Sequence, residues 1–141
     1  MPLQPGQTAT VERVVTREVT ADALGNPGVT VFATPFVINL LEHAAHAVMV
    51  PHLPPGAATV GTGVDVRHLA ATPPGMRVRA TAILRETDGH RYLFEVAAWD
   101  EVEKIAEGQH ERFLVADLAT FLERTLAKAS ASADRSLDER P

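Results

Sequence analysis

The segment "TPFVINLLEHAAHAVMVPHLPPG", residues 34–56, decides how this chain folds. Thr34 followed by Pro35 reads as a helix start, with threonine as N-cap and proline at the first helical position. Pro51 marks the far end, because its ring and missing N–H cannot continue a helix. Between them Phe36, Val37, Ile38, Leu40, Leu41, Ala44, Ala45, Ala47, Val48 and Met49 surround the axis. A helix that is apolar on nearly every side is a buried one. Its polar exceptions, Asn39, Glu42, His43 and His46, lie along one stripe at three- and four-residue spacings.

The flanking sequence supplies strands to bury it. Thr8 to about Val19 is rich in β-formers and reads as a first strand. "ADALGNPGVTVFA" carries Gly25, Asn26-Pro27 and Gly28 and reads as a loop with little regular structure. After the helix come four strand candidates: "GAATVGTGVDVRH", "MRVRATAILRET", "HRYLFEVAAWD" and "KIAEGQHERFLVA". Asp88-Gly89 between two of them is a hairpin signal. In the second, Val78, Ala80, Ala82 and Leu84 share one face while Arg77, Arg79 and Arg85 share the other, the pattern of a sheet packed on one side only. One buried helix against one antiparallel sheet, in the order β-α-β-β-β-β, predicts an α+β hotdog fold, a sheet wrapped around a central helix. Residues 1–129 form the single domain, with Leu118 to Ala129 as a short closing helix. Residues 130–141 read as a polar tail, mobile unless a neighbour holds it.

The chain has 141 residues, 45% of them apolar, a formal net charge of −5 and no cysteine. That is enough chain for a real core. An acidic chain argues against nucleic acid as the main partner, because phosphate binding wants a basic surface. Without cysteine there is no disulfide frame or thiolate nucleophile. No apolar run is long enough to span a bilayer and no secretory signal is evident, so the expected location is the cytoplasm, with no membrane partner.

The chemistry concentrates in few residues. Glu42 sits on a largely apolar helix, where a carboxylate is costly unless paired or neutralised. It lies on the polar stripe, pairs with His46 one turn on, or serves a function. In "GTGVDVRH" the alternation puts Val60, Thr62, Val64, Val66 and His68 on one face and Gly61, Gly63, Asp65 and Arg67 on the other. On that parity His68 looks into the same interior as Glu42, either as a structural histidine or as half of an acid–imidazole pair. Thr34 either caps the helix or, beside outward-pointing amides, aligns a water or an anionic group. "EHAAH" is not a zinc motif: its histidines are three apart, the acid precedes them, and no second ligand cluster is evident, so no metal is expected. His110 shares a strand face with Ala106, Gly108 and Arg112, and reads either as ligand-facing or as an ordinary polar group near the sheet edge. His52 and His90 read as surface groups.

The segments "VFATPF", "LLEHAA", "VMVPHLPPG", "GTGVDVRHLAATPPGMRVRATA" and "GQHERF" resemble the fluoroacetyl-CoA thioesterase family of hotdog proteins, collinearly from about Val31 to Val115. The histidine followed by A-A-T-P-P-G is the most specific element. The resemblance implies an acyl-CoA thioesterase with Thr34, Glu42 and His68 as the catalytic set, Gly61 as a backbone contact to the acyl-thioester and Arg112 beside the substrate. It also implies a homodimer with sites at or near the subunit interface, and no cofactor. Where fluoroacetyl-specialised members are aromatic in the loop before the helix, this chain has no Phe, Tyr or Trp between Ala21 and Val31. A short- or medium-chain acyl-CoA substrate, without preference for fluoroacetyl, is therefore expected. The rivals are a non-catalytic acyl-CoA binding module and a hotdog hydratase or dehydratase, although no G-H-F-P type segment is present.

Overall fold

The computed structural model describes residues 2–133. Strands β1 (Thr8–Val14), β2 (Ala58–His68), β3 (Arg77–Thr87), β4 (Arg91–Trp99) and β5 (Lys104–Val115) form one 5-stranded antiparallel sheet in the order β1-β3-β4-β5-β2. Helix α1 (Thr34–Met49) packs across one face of that sheet and touches all five strands. This is the hotdog arrangement. Val37, Leu41, Ala44, Ala45 and Met49 of α1 are buried with Val78, Ala80, Ala82 and Leu84 of β3 and Phe94, Val96 and Ala98 of β4. The alternation of β3 is thus as read, with Arg77, Arg79 and Arg85 all exposed. Alanines at the contact let the helix lie close to the sheet. The Asp88-Gly89 turn joins β3 to β4, with Asp88 Oδ1 accepting from the His90 and Arg91 amides.

Four expectations change. The first strand stops at Val14 rather than about Val19, because its partner β3 begins at Arg77 and offers no residue beyond it. Val15 instead bonds the turn before β3, and Arg17–Val19 closes into a single 3₁₀ turn. The loop after it is more ordered than its composition implied. A 3₁₀ turn at Asp22–Leu24 sits inside a base tied by Ala21 N to Val31 O, Asp22 N to Val29 O and Gly28 N to Asp22 Oδ1.

Thr34 does not cap α1. The Ala33 carbonyl accepts from the Phe36 and Val37 amides, so Ala33 is the N-cap, and no side chain caps the helix. The reason is tertiary. Phe32 N bonds Thr72 O and Ala33 N bonds Val19 O, which fixes the backbone just ahead of Thr34 and leaves its hydroxyl free. The last helix, α2 (Leu118–Ala133), runs past Ala129; Leu118 N bonds Gly56 O at its start, and Phe121, Leu122 and Leu126 are exposed. It takes in the first residues of the expected tail, and 134–141 lie outside the described residues.

The turn after β2 is stitched to several elements at once. Leu69 N bonds Ile105 O, the Thr72 carbonyl takes the Phe32 amide, and Gly75 N bonds Val15 O. Thr72, fully buried, donates its hydroxyl to Asp100 Oδ2 at 2.8 Å. Replacing it by the near-isosteric valine strands that carboxylate oxygen. Thr72→Val should therefore lower stability by about 1 kcal/mol, measured by denaturant unfolding. An unchanged midpoint would show that the turn does not depend on this bond.

Candidate active site

β2 is not a regular strand. Its register against β5 shifts between Gly61 and Gly63, a β-bulge that reverses which residues face the helix. Thr59 and Gly61 point inward before it, opposite Leu114 and Arg112; Val64, Val66 and His68 do so after it, opposite His110, Gly108 and Ala106. The parity read from sequence holds for the second half of the strand and fails for Val60 and Thr62. Thr62, in the bulge, turns its hydroxyl to Glu111 instead.

The inward half beginning at Thr59 builds one cluster. Arg112 is 7% exposed, and a buried guanidinium must find acceptors for its N–H groups. Its Nε donates to Thr59 Oγ1 at 2.8 Å and Nη2 to the Thr59 carbonyl at 3.1 Å. Nη1 donates to Glu42 Oε2 at 3.3 Å and to His110 Nε2, 3.1 Å away. Glu42 thus pairs with an arginine on the sheet, a partner that neither the polar-stripe nor the His46 reading anticipated. Its side chain is 36% exposed. Gly61 is what makes room: a Cβ there would stand 2.6 Å from Glu42 Oε2 and 3.2 Å from His110 Cε1.

The other end of β2 builds a second cluster. Thr34 Oγ1 and His68 Nδ1 share a hydrogen bond of 2.7 Å. The hydroxyl that was expected to cap the helix orients an imidazole instead. His68 Nε2 is buried without a partner, so it is the ring atom left to engage another group. Burial pushes the imidazole below its ordinary value, opposed by a contact with the Ala70 backbone. A neutral imidazole beside a hydroxyl at a helix start can accept or deliver a proton.

These two clusters are apart. α1 carries Glu42 just over two turns beyond Thr34, about 12 Å along its axis. β2 likewise separates Gly61 from His68 by roughly 20 Å. Glu42 and His68 look off the same face of the sheet, as the alternation of the second half of β2 implied, but belong to different clusters along it. Of the five residues singled out by resemblance, Thr34 and His68 meet in one place and Glu42, Gly61 and Arg112 in another. His110, left open between a ligand-facing and an edge role, is 1% exposed and belongs to the second group. Its signal was the inward face it shares with Arg112. His90 is exposed, while His52 is half-buried beside Gln7. Among the described residues no three His, Asp or Glu side chains are placed to hold a metal ion, and no helix is long and apolar enough to cross a membrane.

A single helix set against a five-stranded antiparallel sheet, with its polar groups gathered along the last-ordered strand, defines a hotdog-fold protein. Residues 15–117 match the family described as fluoroacetyl-CoA-specific thioesterase (FlK), and the chain belongs to that family. It is 46% identical over 85 residues to the fluoroacetyl-CoA thioesterase of Streptantibioticus cattleyicolor, a match spanning 60% of this chain and 61% of that one. A variant of the fluoroacetyl-CoA-specific thioesterase FlK, solved in complex with fluoroacetate and CoA, superposes with a TM-score of 0.79 at 39% identity, covering 84% of this chain and 98% of that one. A thioesterase superfamily member from Thermus thermophilus gives a TM-score of 0.81 at 33% identity over 93% of this chain and 98% of its own.

Burial is the first cause of a lowered imidazole value at His46, His68 and His110 alike. In the unfolded chain these rings take up protons near pH 6.5, about the unperturbed value, whereas the folded protein takes them up only at lower pH. Below that point the unfolded state binds more protons, so stability must fall as pH falls. Melting curves should show a plateau above about pH 7 and a declining midpoint on acidification below about pH 6.5. A midpoint that rose on acidification through this window would contradict the burial of these rings.

Proposed function

We propose that the protein is an acyl-CoA thioesterase acting as a homodimer in the cytoplasm, converting a short- or medium-chain acyl-CoA and water into the free acid and CoA. The observation that carries this reading is the 2.7 Å bond between Thr34 Oγ1 and His68 Nδ1, which aims a neutral imidazole with its Nε2 still unengaged. Glu42, held by Arg112, takes the proton of an attacking water or itself attacks to give a mixed anhydride that water then opens. His68 polarises the thioester and assists departure of the CoA thiolate. Thr34 holds the ring, and the Gly61 amide faces the developing oxyanion. Arg112, which resemblance sets beside the substrate, orients the carboxylate.

One chain cannot bring Glu42 and His68 to one thioester, and a second copy can. The outer edge of β2 has no partner strand, and Gly61 to Asp65 along it are exposed, with Val64 at 44%. An unprotected edge of this kind invites pairing. Antiparallel β2–β2 pairing centred on Asp65, with Thr62 of each strand left over in the bulge, sets Gly61 against the partner's His68. Each site then takes Glu42, Gly61 and Arg112 from one protomer and the Thr34–His68 couple from the other.

Glu42→Gln and His68→Ala should each abolish most thiol release as homodimers. Mixed by co-expression they should recover activity, because half of the dimers then carry one intact site, or about a quarter of wild-type turnover for random pairing. If both residues served from one chain, every mixed dimer would remain inactive. Accumulation of 2-enoyl-CoA without thiol would select the hydratase reading, and binding without thiol release the non-catalytic one.

The acyl group is a separate question. The loop between Ala21 and Val31 is exposed apart from its ends and offers no aromatic surface, while Phe32 beyond it is fully buried in the core. Nothing in that loop supplies the close contacts that selecting one small substituent requires, where one methylene of fit is worth only about 1–3 kcal/mol. Acetyl-, fluoroacetyl-, butyryl- and phenylacetyl-CoA should therefore be turned over without a large preference for fluoroacetyl-CoA. A kcat/KM for fluoroacetyl-CoA far above all the others would place selection outside this loop.

A further inference from the structure

His110 is the one titratable side chain of the Glu42 cluster that the mechanism above does not use. It is 1% exposed, so a protonated ring there would be an expensive charge. Its two nitrogens face different groups: Nδ1 lies 2.8 Å from the Gly63 carbonyl and Nε2 lies 3.1 Å from Arg112 Nη1. An arginine has donors only. Nε2 must therefore be bare and accept, which leaves the proton on Nδ1, donated to Gly63. The surroundings act in one direction overall, with burial and the Arg112 charge favouring the neutral ring over the opposing pull of the Gly63 carbonyl and Glu42.

We infer that His110 is a positioning residue that aims the Glu42 carboxylate through Arg112 and ties that aim to the β2 bulge. The geometry leaves it little alternative. Nη1 reaches both Glu42 Oε2, at 3.3 Å, and His110 Nε2. The remaining guanidinium contacts go to Thr59, so the fork is held on one side by β2 and on the other by the imidazole. Without an acceptor at His110 Nε2, Nη1 keeps one fixed partner fewer and its angle toward Glu42 is no longer determined. At the opposite nitrogen, Nδ1–H holds the Gly63 carbonyl at the bulge. His110 itself stands 3.9 Å from Glu42 Oε2, too far for a hydrogen bond, so it acts through the arginine. The functional consequence rests on the thioesterase reading; the positioning does not.

Two substitutions divide the ring's roles. An asparagine amide nitrogen occupies the place of Nδ1, so His110→Asn keeps the donor to Gly63 and loses the acceptor for Arg112. A glutamine carbonyl reaches the place of Nε2, so His110→Gln keeps that acceptor. With both variants folded, as checked by their melting curves, His110→Asn should lose about 10²-fold in kcat with little change in KM, the cost of misplacing a reacting group by about 1 Å. His110→Gln should stay much closer to the wild type. Equal kcat per folded molecule in His110→Asn and the wild type would overturn the proposal. A second readout is independent of turnover. Long-range ¹H–¹⁵N spectra should find the wild-type ring with its proton on Nδ1 at neutral pH, and the ¹³C carboxyl resonance of Glu42 should move in His110→Asn while His110→Gln retains it. A proton on Nε2, or a Glu42 resonance unmoved in both variants, would overturn the inference. If the wild type released no thiol from any acyl-CoA, the thioesterase reading would fall, and the Glu42 resonance would still decide this one.

Discussion

A guanidinium buried beneath a helix is the constraint on which the rest of this structure depends. Arg112 can sit there only if its donors are met, and they are met by Thr59, Glu42 and His110. Thr59 must then face the helix, and so must Gly61 opposite the arginine. Yet His68 must also face inward to reach Thr34. Thr59 and Gly61 stand at odd positions and His68 at an even one, and a regular strand of period two turns one set outward. The bulge between Gly61 and Gly63 is what lets one strand meet both demands. Gly61 belongs to the same solution, because a Cβ there would collide with the carboxylate that Arg112 holds.

The pairing also makes Glu42 part of the fold, beside the role proposed for it in the chemistry. Removing one partner of a buried ion pair leaves the other charge uncompensated, typically at a cost of about 3–5 kcal/mol where both are fully buried. Glu42 is 36% exposed and Arg112 nearly enclosed, so solvent relieves the carboxylate more than the guanidinium and the cost here is smaller. An amide at position 42 still offers an oxygen to Nη1, whereas an alanine offers nothing. The space left by Gly61 is therefore occupied by the acceptor at that position. On the proposed mechanism, the catalytic carboxylate and a structural counter-ion are one group.

The parts of this architecture that were legible in the sequence are those governed by local periodicity. α1 reads from its apolar content and its prolines, β3 from strict alternation, and the β3–β4 hairpin from Asp88-Gly89. The parts that were not legible are set by residues far along the chain. Whether Thr34 or Ala33 caps α1 depends on Val19 and Thr72 fixing the backbone before it. The parity of β2 depends on its register against β5, which no window within β2 contains. Glu42 finds its partner 70 positions away. Local rules describe the elements, and the site is made of the exceptions that tertiary contacts impose on them.

On the proposed reading, half-sites at the two ends of one strand leave a substrate open to solvent in a single chain. Each cluster is open on one side: Glu42 is 36% exposed beside an exposed Gly61, and Thr34 is exposed at the helix start. Water must nevertheless be limited around a thioester if hydrogen bonds and charges there are to act at full strength. The loop at 21–31 ties its base to itself, through Ala21, Asp22 and Gly28, and presents no aromatic group, with Leu24 and Val29 its exposed apolar side chains. In the proposed dimer, enclosure falls mainly to the second protomer, whose strand and helix would supply the missing wall along with the missing groups. A site walled by a subunit face instead of a lid admits acyl groups by the width of the interface, a coarse filter of size in place of a fitted contact.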